Sequence, residues 1–172
     1  MTVYREQSPP PVDSVLTGIP DGPEGIRVTL AVMRRIVKDW RARPEIRSLA
    51  ESIISGLQEK DFAGEVRALH AWVRDSIRYT NDVNEVETLK TPDLILSSGM
   101  GDCDDKAILL ATLLESAGHP ARFVAVGFEP DNFSHVYVES KIGAAWVALE
   151  TTESVDLGWF PDGVITRMVR HI

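Results

Sequence analysis

The 172-residue sequence predicts an α+β fold. Apolar residues recur at helical spacing through most of the first two-thirds of the chain. Three segments rich in Val, Phe and Tyr then follow one another, each bounded by turn residues. Helices first and adjacent strands afterwards is the order of helices segregated against a sheet. A chain of this length suits one domain with a full hydrophobic core.

The elements follow in order. Residues 1–24 carry Pro9, Pro10, Pro11, Pro20 and Pro23 with Gly18 and Gly22, and read as an extended N-terminal arm. Ile26, Leu30, Met33, Val37 and Trp40 form the stripe of a first helix. Arg41 to Arg43 interrupts it, and Pro44 suits the first turn of a second helix, whose inner face is Ile46, Leu49, Ile53 and Leu57. Residues 25–60 thus read as a helical N-terminal region ahead of a domain at 61–172. A third helix runs from about Asp61 to Arg78 on Val66, Leu69, Val73 and Ile77. His70 shares that stripe and reads as a buried-edge histidine held by a hydrogen bond. Tyr79 to Met100 is loop-rich, with a short helix from Thr91-Pro92-Asp93 to about Ser97.

The next helix is the best punctuated. Asp102 is a good N-cap, Asp105 stands in the first turn, and Ala107, Leu110, Ala111 and Leu114 make the inner stripe. Gly118 is the C′ residue and Pro120 forbids continuation. His119, between them, reads as surface punctuation. Strands are expected at Ala121 to Phe128, Ser134 to Ser140 and Ala145 to Leu149, with a last one in Val164 to Val169.

Composition is ordinary for a globular protein, 44% hydrophobic and 26% charged, with net charge −8. The charge is uneven: residues 1–60 hold 9 Lys+Arg against 8 Asp+Glu, residues 61–172 hold 9 against 18. An acidic second half argues against nucleic acid as a partner, because phosphate neutralisation needs a basic face. No apolar run reaches the roughly 20 residues of a membrane span, so no membrane partner is expected. A polar start without an apolar signal segment, together with a single cysteine, fits a reducing cytoplasm.

Cys103 is that single cysteine, and it heads the well-punctuated helix. Backbone N–H groups and the helix dipole favour thiolate there, which makes it a candidate nucleophile; the rival is a packing residue. Asp102, Asp104 and Asp105 oppose the dipole and raise the thiol pKa unless they are paired. A thiol nucleophile needs a base, and the base needs a group that fixes its tautomer. A hairpin centred on Ile142-Gly143 supplies both: His135 falls opposite Glu150, Tyr137 opposite Ala148 and Glu139 opposite Trp146. Its other face, pairing Val136 with Leu149 and Val138 with Val147, is aliphatic. Metal-ligand spacings are missing: there is no C-x-x-C, no H-E-x-x-H and no EF-hand loop, so neither metal nor cofactor is expected.

Five stretches, in order, resemble the transglutaminase-like superfamily of papain-like cysteine folds. They are Trp72-Val73-Arg74-Asp75-Ser76-Ile77-Arg78-Tyr79, then Gly101-Asp102-Cys103-Asp104-Asp105-Lys106-Ala107, then Leu114 to Arg122, then Ser134-His135-Val136-Tyr137-Val138-Glu139, and last Trp146-Val147-Ala148-Leu149-Glu150-Thr151-Thr152. The wording is most similar to small members associated with bacteriophages and prophages. The resemblance implies a nucleophile helix packed on an antiparallel sheet, and a triad with Cys103 as nucleophile, His135 as base and Glu150 at the position of the family's aspartate. Asp156 and Glu153 are nearby substitutes for that carboxylate. Arg122 matches a position that reads as structural. The Cys103 N–H is the first oxyanion donor, with Asn81 as a guess for the second. The implied chemistry is acyl transfer on amide bonds through a thioacyl-enzyme, chiefly hydrolysis of a protein or peptide substrate. Cross-linking to an amine, or a non-catalytic binding or virion-assembly module, are the alternatives.

Overall fold

The structure is a computed structural model that describes residues 14–15, 22–80 and 88–172. Five helices are described: α1 (Gly22–Trp40), α2 (Pro44–Ile54), α3 (Phe62–Ser76), α4 (Pro92–Ser98) and α5 (Cys103–Ser116). A four-stranded antiparallel sheet runs β7-β6-β5-β8, from β5 (Ala121–Gly127), β6 (His135–Ile142), β7 (Ala145–Leu149) and β8 (Thr166–His171). Four two-residue strands make two small pairs. β1 (Ser14–Val15) lies antiparallel to β3 (Thr88–Leu89), and β2 (Arg78–Tyr79) parallel to β4 (Met100–Gly101).

Helix α5 is the centre of the molecule. Every residue from Asp105 to Leu114 is buried, so its core face is not a stripe but the whole circumference. A helix apolar all round needs neighbours all round. Here α1, α2, α3 and α4 pack on it together with β5 and β6. One cluster joins Leu30, Met33 and Val37 of α1, Ile46 of α2, Leu69 and Val73 of α3, and Leu110 and Leu114 of α5 to Phe123, Val136, Val138 and Leu149 of the sheet. The two N-terminal helices therefore share the core of the residues that follow them.

Several expectations shift. Helix α1 starts at Gly22, so residues 22–24 leave the arm: Pro23 sits in the helix's first turn, where its missing N–H costs nothing. Ser14–Val15 forms a strand; the rest of residues 1–21 lies outside the described residues. The loop-rich stretch after Tyr79 holds the short β3 and β4, which are too brief to show a period-two pattern.

The register of the β6–β7 hairpin also differs. Val138 pairs with Leu149, Glu139 with Ala148, Ser140 with Val147, and Lys141 with Trp146. The turn is Gly143-Ala144, not Ile142-Gly143, and Gly143 has φ of 61°. A type II′ turn needs positive φ at its first central residue, which glycine adopts freely and Ile142 would not. The slip is two residues, so every side chain keeps its face. Glu150 is left diagonal to His135 and not directly opposite.

Lys106 was not singled out in the sequence, and it is only 2% exposed. Its ammonium donates to the carbonyls of Ile77 (2.5 Å) and Arg74 (3.2 Å), tying the end of α3 to the first turn of α5. Burial is the main influence and lowers its pKa from 10.5 to about 8, against the pull of Glu150 and Asp75. Between about 8 and 10.5 the unfolded chain still binds a proton that the folded chain has lost, so stability gains as pH rises through that window. The wild-type unfolding free energy should therefore climb from pH 8 to pH 10 relative to that of Lys106→Met, measured by urea denaturation. Parallel curves for the two proteins would show that the amine is not held this way.

Candidate active site

Cys103 is the first residue of α5, behind a reciprocal cap. Asp102 Oδ1 accepts from the Asp105 N–H (3.0 Å), and the Asp105 carboxylate accepts from the Asp102 N–H (3.4 Å). Asp105 is fully buried and also pairs with the Lys90 ammonium and accepts from the Lys90 N–H (2.9 Å). The cap fixes the first turn, whose N–H groups have no intrahelical acceptor. The Cys103 N–H has no acceptor among the described residues and faces the end of the helix where negative charge is stabilised.

The thiol lies against the start of β6. It accepts a hydrogen bond from the Val136 N–H, the residue after His135. It donates weakly to Asp104 Oδ1 at 3.6 Å. Burial, with Asp104 and then Asp102 adding to it, pushes its pKa well above the ordinary thiol value, and the Val136 N–H only partly offsets this. The dipole-driven lowering expected from the helix position is thus overridden. Desolvation and two adjacent carboxylates outweigh the fractional charge of a helix end.

The imidazole and the carboxylate do meet. His135 Nε2–H donates to Glu150 Oε2 at 2.6 Å. The other carboxylate oxygen, Oε1, accepts from the Thr152 N–H and the Thr152 hydroxyl, both at 2.7 Å. Glu150 is 1% exposed. Burial alone would raise its pKa, but the hydrogen bond and charge of His135 and the two bonds from Thr152 hold it below the usual carboxylate range. The diagonal placement suits a glutamate, since long side chains span the roughly 7–8 Å between diagonal neighbours. With Nε2 carrying its hydrogen toward Glu150, Nδ1 is the nitrogen with a free lone pair.

His70 supports the pair from below. Its Nε2–H donates to the Glu150 carbonyl at 2.5 Å, and burial lowers its pKa. Because a carbonyl only accepts, Nδ1 is bare; it is buried with no partner among the described residues. His119 is not surface punctuation. It is 5% exposed and donates to Glu65 Oε2 at 2.7 Å, because the Gly118 turn folds it back against α3. Arg122 is a structural anchor: it pairs with Glu139 (2.5 Å) and stacks on Trp146 at 4.2 Å.

The two substitute carboxylates do not reach the imidazole. Asp156 acts instead on Arg74, whose pKa it helps to raise. Glu153 lines a cleft of about 380 Å³ beside His135 and Glu150. Asn81 lies outside the described residues. Among the described residues no cluster of three or more His, Cys, Asp or Glu could hold a metal ion. No described helix is long and apolar enough to cross a membrane. The structure thus joins His135 to Glu150 and sets the Cys103 thiol one residue along the same strand, with no hydrogen bond from sulfur to imidazole.

Solved structures share this architecture. A candidate protease from Parabacteroides distasonis superposes with a TM-score of 0.60 at 16% identity, over 80% of this chain and 31% of its own. A candidate cysteine protease from Cytophaga hutchinsonii gives 0.54 at 15%, over 82% of this chain and 55% of its own. The chain therefore spans about a third and about half the length of these two proteins. LapG from Legionella pneumophila gives 0.52 at 20%, over 73% of this chain and 74% of its own. No curated protein matches the chain. The family model of the transglutaminase-like superfamily matches residues 47–151, from within α2 to Thr151, which is more than half of the sequence, and the chain belongs to that superfamily.

Proposed function

We propose that the protein cleaves amide bonds in a protein or peptide substrate, with Cys103 as nucleophile, His135 as general base and Glu150 as the group that orients it. The supporting observation is the 2.6 Å bond from His135 Nε2 to Glu150, which leaves Nδ1 as the lone pair for the thiol proton. As Sγ attacks the amide carbonyl, Nδ1 takes that proton, and the resulting charge on the imidazole is matched by Glu150. The carbonyl oxygen gains negative charge beside the Cys103 N–H. The C–N bond then breaks, Nδ1 returns the proton to the leaving amine, and water, deprotonated by the same nitrogen, hydrolyses the thioacyl-enzyme. Two of the proteins that share the fold are themselves named as candidate proteases.

The elevated thiol pKa gives this reading a specific form. Cys103 rests as a neutral thiol beside His135, and proton transfer accompanies attack. Iodoacetamide labelling of Cys103 should show no step in the ~3.5–7.5 range of preformed thiolates and should rise only in alkali. A labelling plateau below neutral pH would establish a thiolate–imidazolium pair instead.

A proteome-derived peptide library offered to the full chain tests the reaction. New peptide termini with the native protein and none with Cys103→Ala are expected. Incorporation of added dansylcadaverine in their place makes it a cross-linking acyl transferase. The neutral thiol and the absent sulfur–imidazole bond favour one other reading, a non-catalytic binding module that keeps the fold. Neither new termini nor amine incorporation would select it.

A further inference from the structure

The cleft beside the His135–Glu150 pair has walls that the proposed chemistry does not require. Tyr79, Phe128 and Trp159 line it, and they are 44%, 42% and 40% exposed. They come from three separate segments: the end of β2, the residue after β5 and the loop after β7. Three large rings gathered from distant parts of the chain and left open to water form a surface suited to a partner. Their faces accept apolar stems, and they also attract cations.

Charge narrows the choice. Among the described residues no lysine or arginine lines the cleft. The Glu150 carboxylate is fully used by His135 and Thr152. The Glu153 carboxylate, also in the lining, makes no hydrogen bond or ion pair among the described residues. The field there is negative: after burial, the nearby carboxylates Asp102, Asp104 and Glu150 all raise the Tyr79 phenol pKa. An acidic side chain would be repelled. A purely apolar one would strip water from Glu153 without replacing it. A long aliphatic stem ending in a positive charge satisfies both the rings and the carboxylate.

We propose that this cleft is a specificity subsite for a lysine or arginine side chain of the substrate, its stem against Tyr79, Phe128 and Trp159 and its charged head at Glu153. The assignment rests on the reading of Cys103 and His135 as nucleophile and base, since it places the basic residue next to the amide presented to them.

Binding can be read without turnover. The full chain carrying Cys103→Ala is titrated with capped pentapeptides Ac-Ala-Ala-X-Ala-Ala-NH2, where X is lysine, norleucine or glutamate, and followed by chemical-shift perturbation. Lysine should bind about three- to tenfold more tightly than norleucine, which has the same stem without the charge, and glutamate should bind least. Adding Glu153→Gln should erase the lysine advantage and leave norleucine unchanged, while Trp159→Ala should weaken both. Equal binding of lysine and norleucine overturns the assignment. So does a lysine advantage that survives Glu153→Gln, or no detectable binding of the lysine peptide. The two readings fail separately. Cysteine-dependent cleavage without preference for basic residues removes the subsite and keeps the reaction. Charge-selective binding without any cleavage keeps the subsite and removes the reaction.

Discussion

Glu150→Gln is expected to lower turnover about 10⁴-fold in a chain that still folds, the scale of an equivalent carboxylate-to-amide change in a serine protease. The reason lies on the far side of the carboxylate. Oε1 accepts from the Thr152 N–H and hydroxyl. The backbone N–H can only donate, so the amide oxygen of glutamine must take that place. Its NH2 group is then forced onto His135 Nε2. That nitrogen must give up its hydrogen, the hydrogen moves to Nδ1, and the lone pair needed by the thiol is gone. Imidazole 15N shifts should report the tautomer change independently of rate. Glu150→Asp should lose less, because the charge survives. Because Glu150 is held below the usual carboxylate range, it contributes stability above its unfolded pKa and loses it as pH falls through its folded value. The Gln variant should lack that part of the acid sensitivity. A variant with Gln at 150 that kept a tenth of the activity would detach Glu150 from catalysis.

His135→Ala should cost about 10²- to 10⁴-fold in turnover, the usual worth of a general base, together with some stability, because it leaves the buried Glu150 carboxylate without its Nε2 donor. The other buried histidines provide the contrast. His119→Ala leaves the Glu65 carboxylate without its donor, and should cost about 1–3 kcal/mol of stability with normal turnover per folded molecule. His70→Ala removes the donor to the Glu150 carbonyl and should affect both quantities. Equal turnover losses at His119 and His135 would mean that the base has been misassigned.

Much of this site is legible in the sequence, for reasons that differ between residues. The cap at Asp102, the stop at Gly118-His119-Pro120 and the apolar run between them mark α5 because helix ends obey local chemistry. His135 and Glu150 are assigned to one face because strand periodicity survives a slip of two residues. The slip itself was set by which residue could take positive φ, and that is a property of the turn. What local rules miss depends on distant partners. The charge state of the thiol follows from how deeply α5 is buried. His119 is buried because Glu65, on another helix, waits for it. Lys106 looks like an ordinary charged residue until the ends of α3 and α5 are seen to converge on it. The aromatic cleft is assembled from β2 and two loops that no sequence window contains together.

The neutral, half-buried thiol bears on chemical durability. Peroxide attacks thiolates, and the first step to sulfenic acid is slow for a cysteine held in its protonated form. On the proposed reading, a Cys103 ionised only while its substrate is in place spends its resting time off the oxidation ladder. The carboxylates on either side of Cys103, unhelpful to a preformed ion pair, would thus act as preservatives, letting the protein persist through oxidative stress that would inactivate a more eager sulfur.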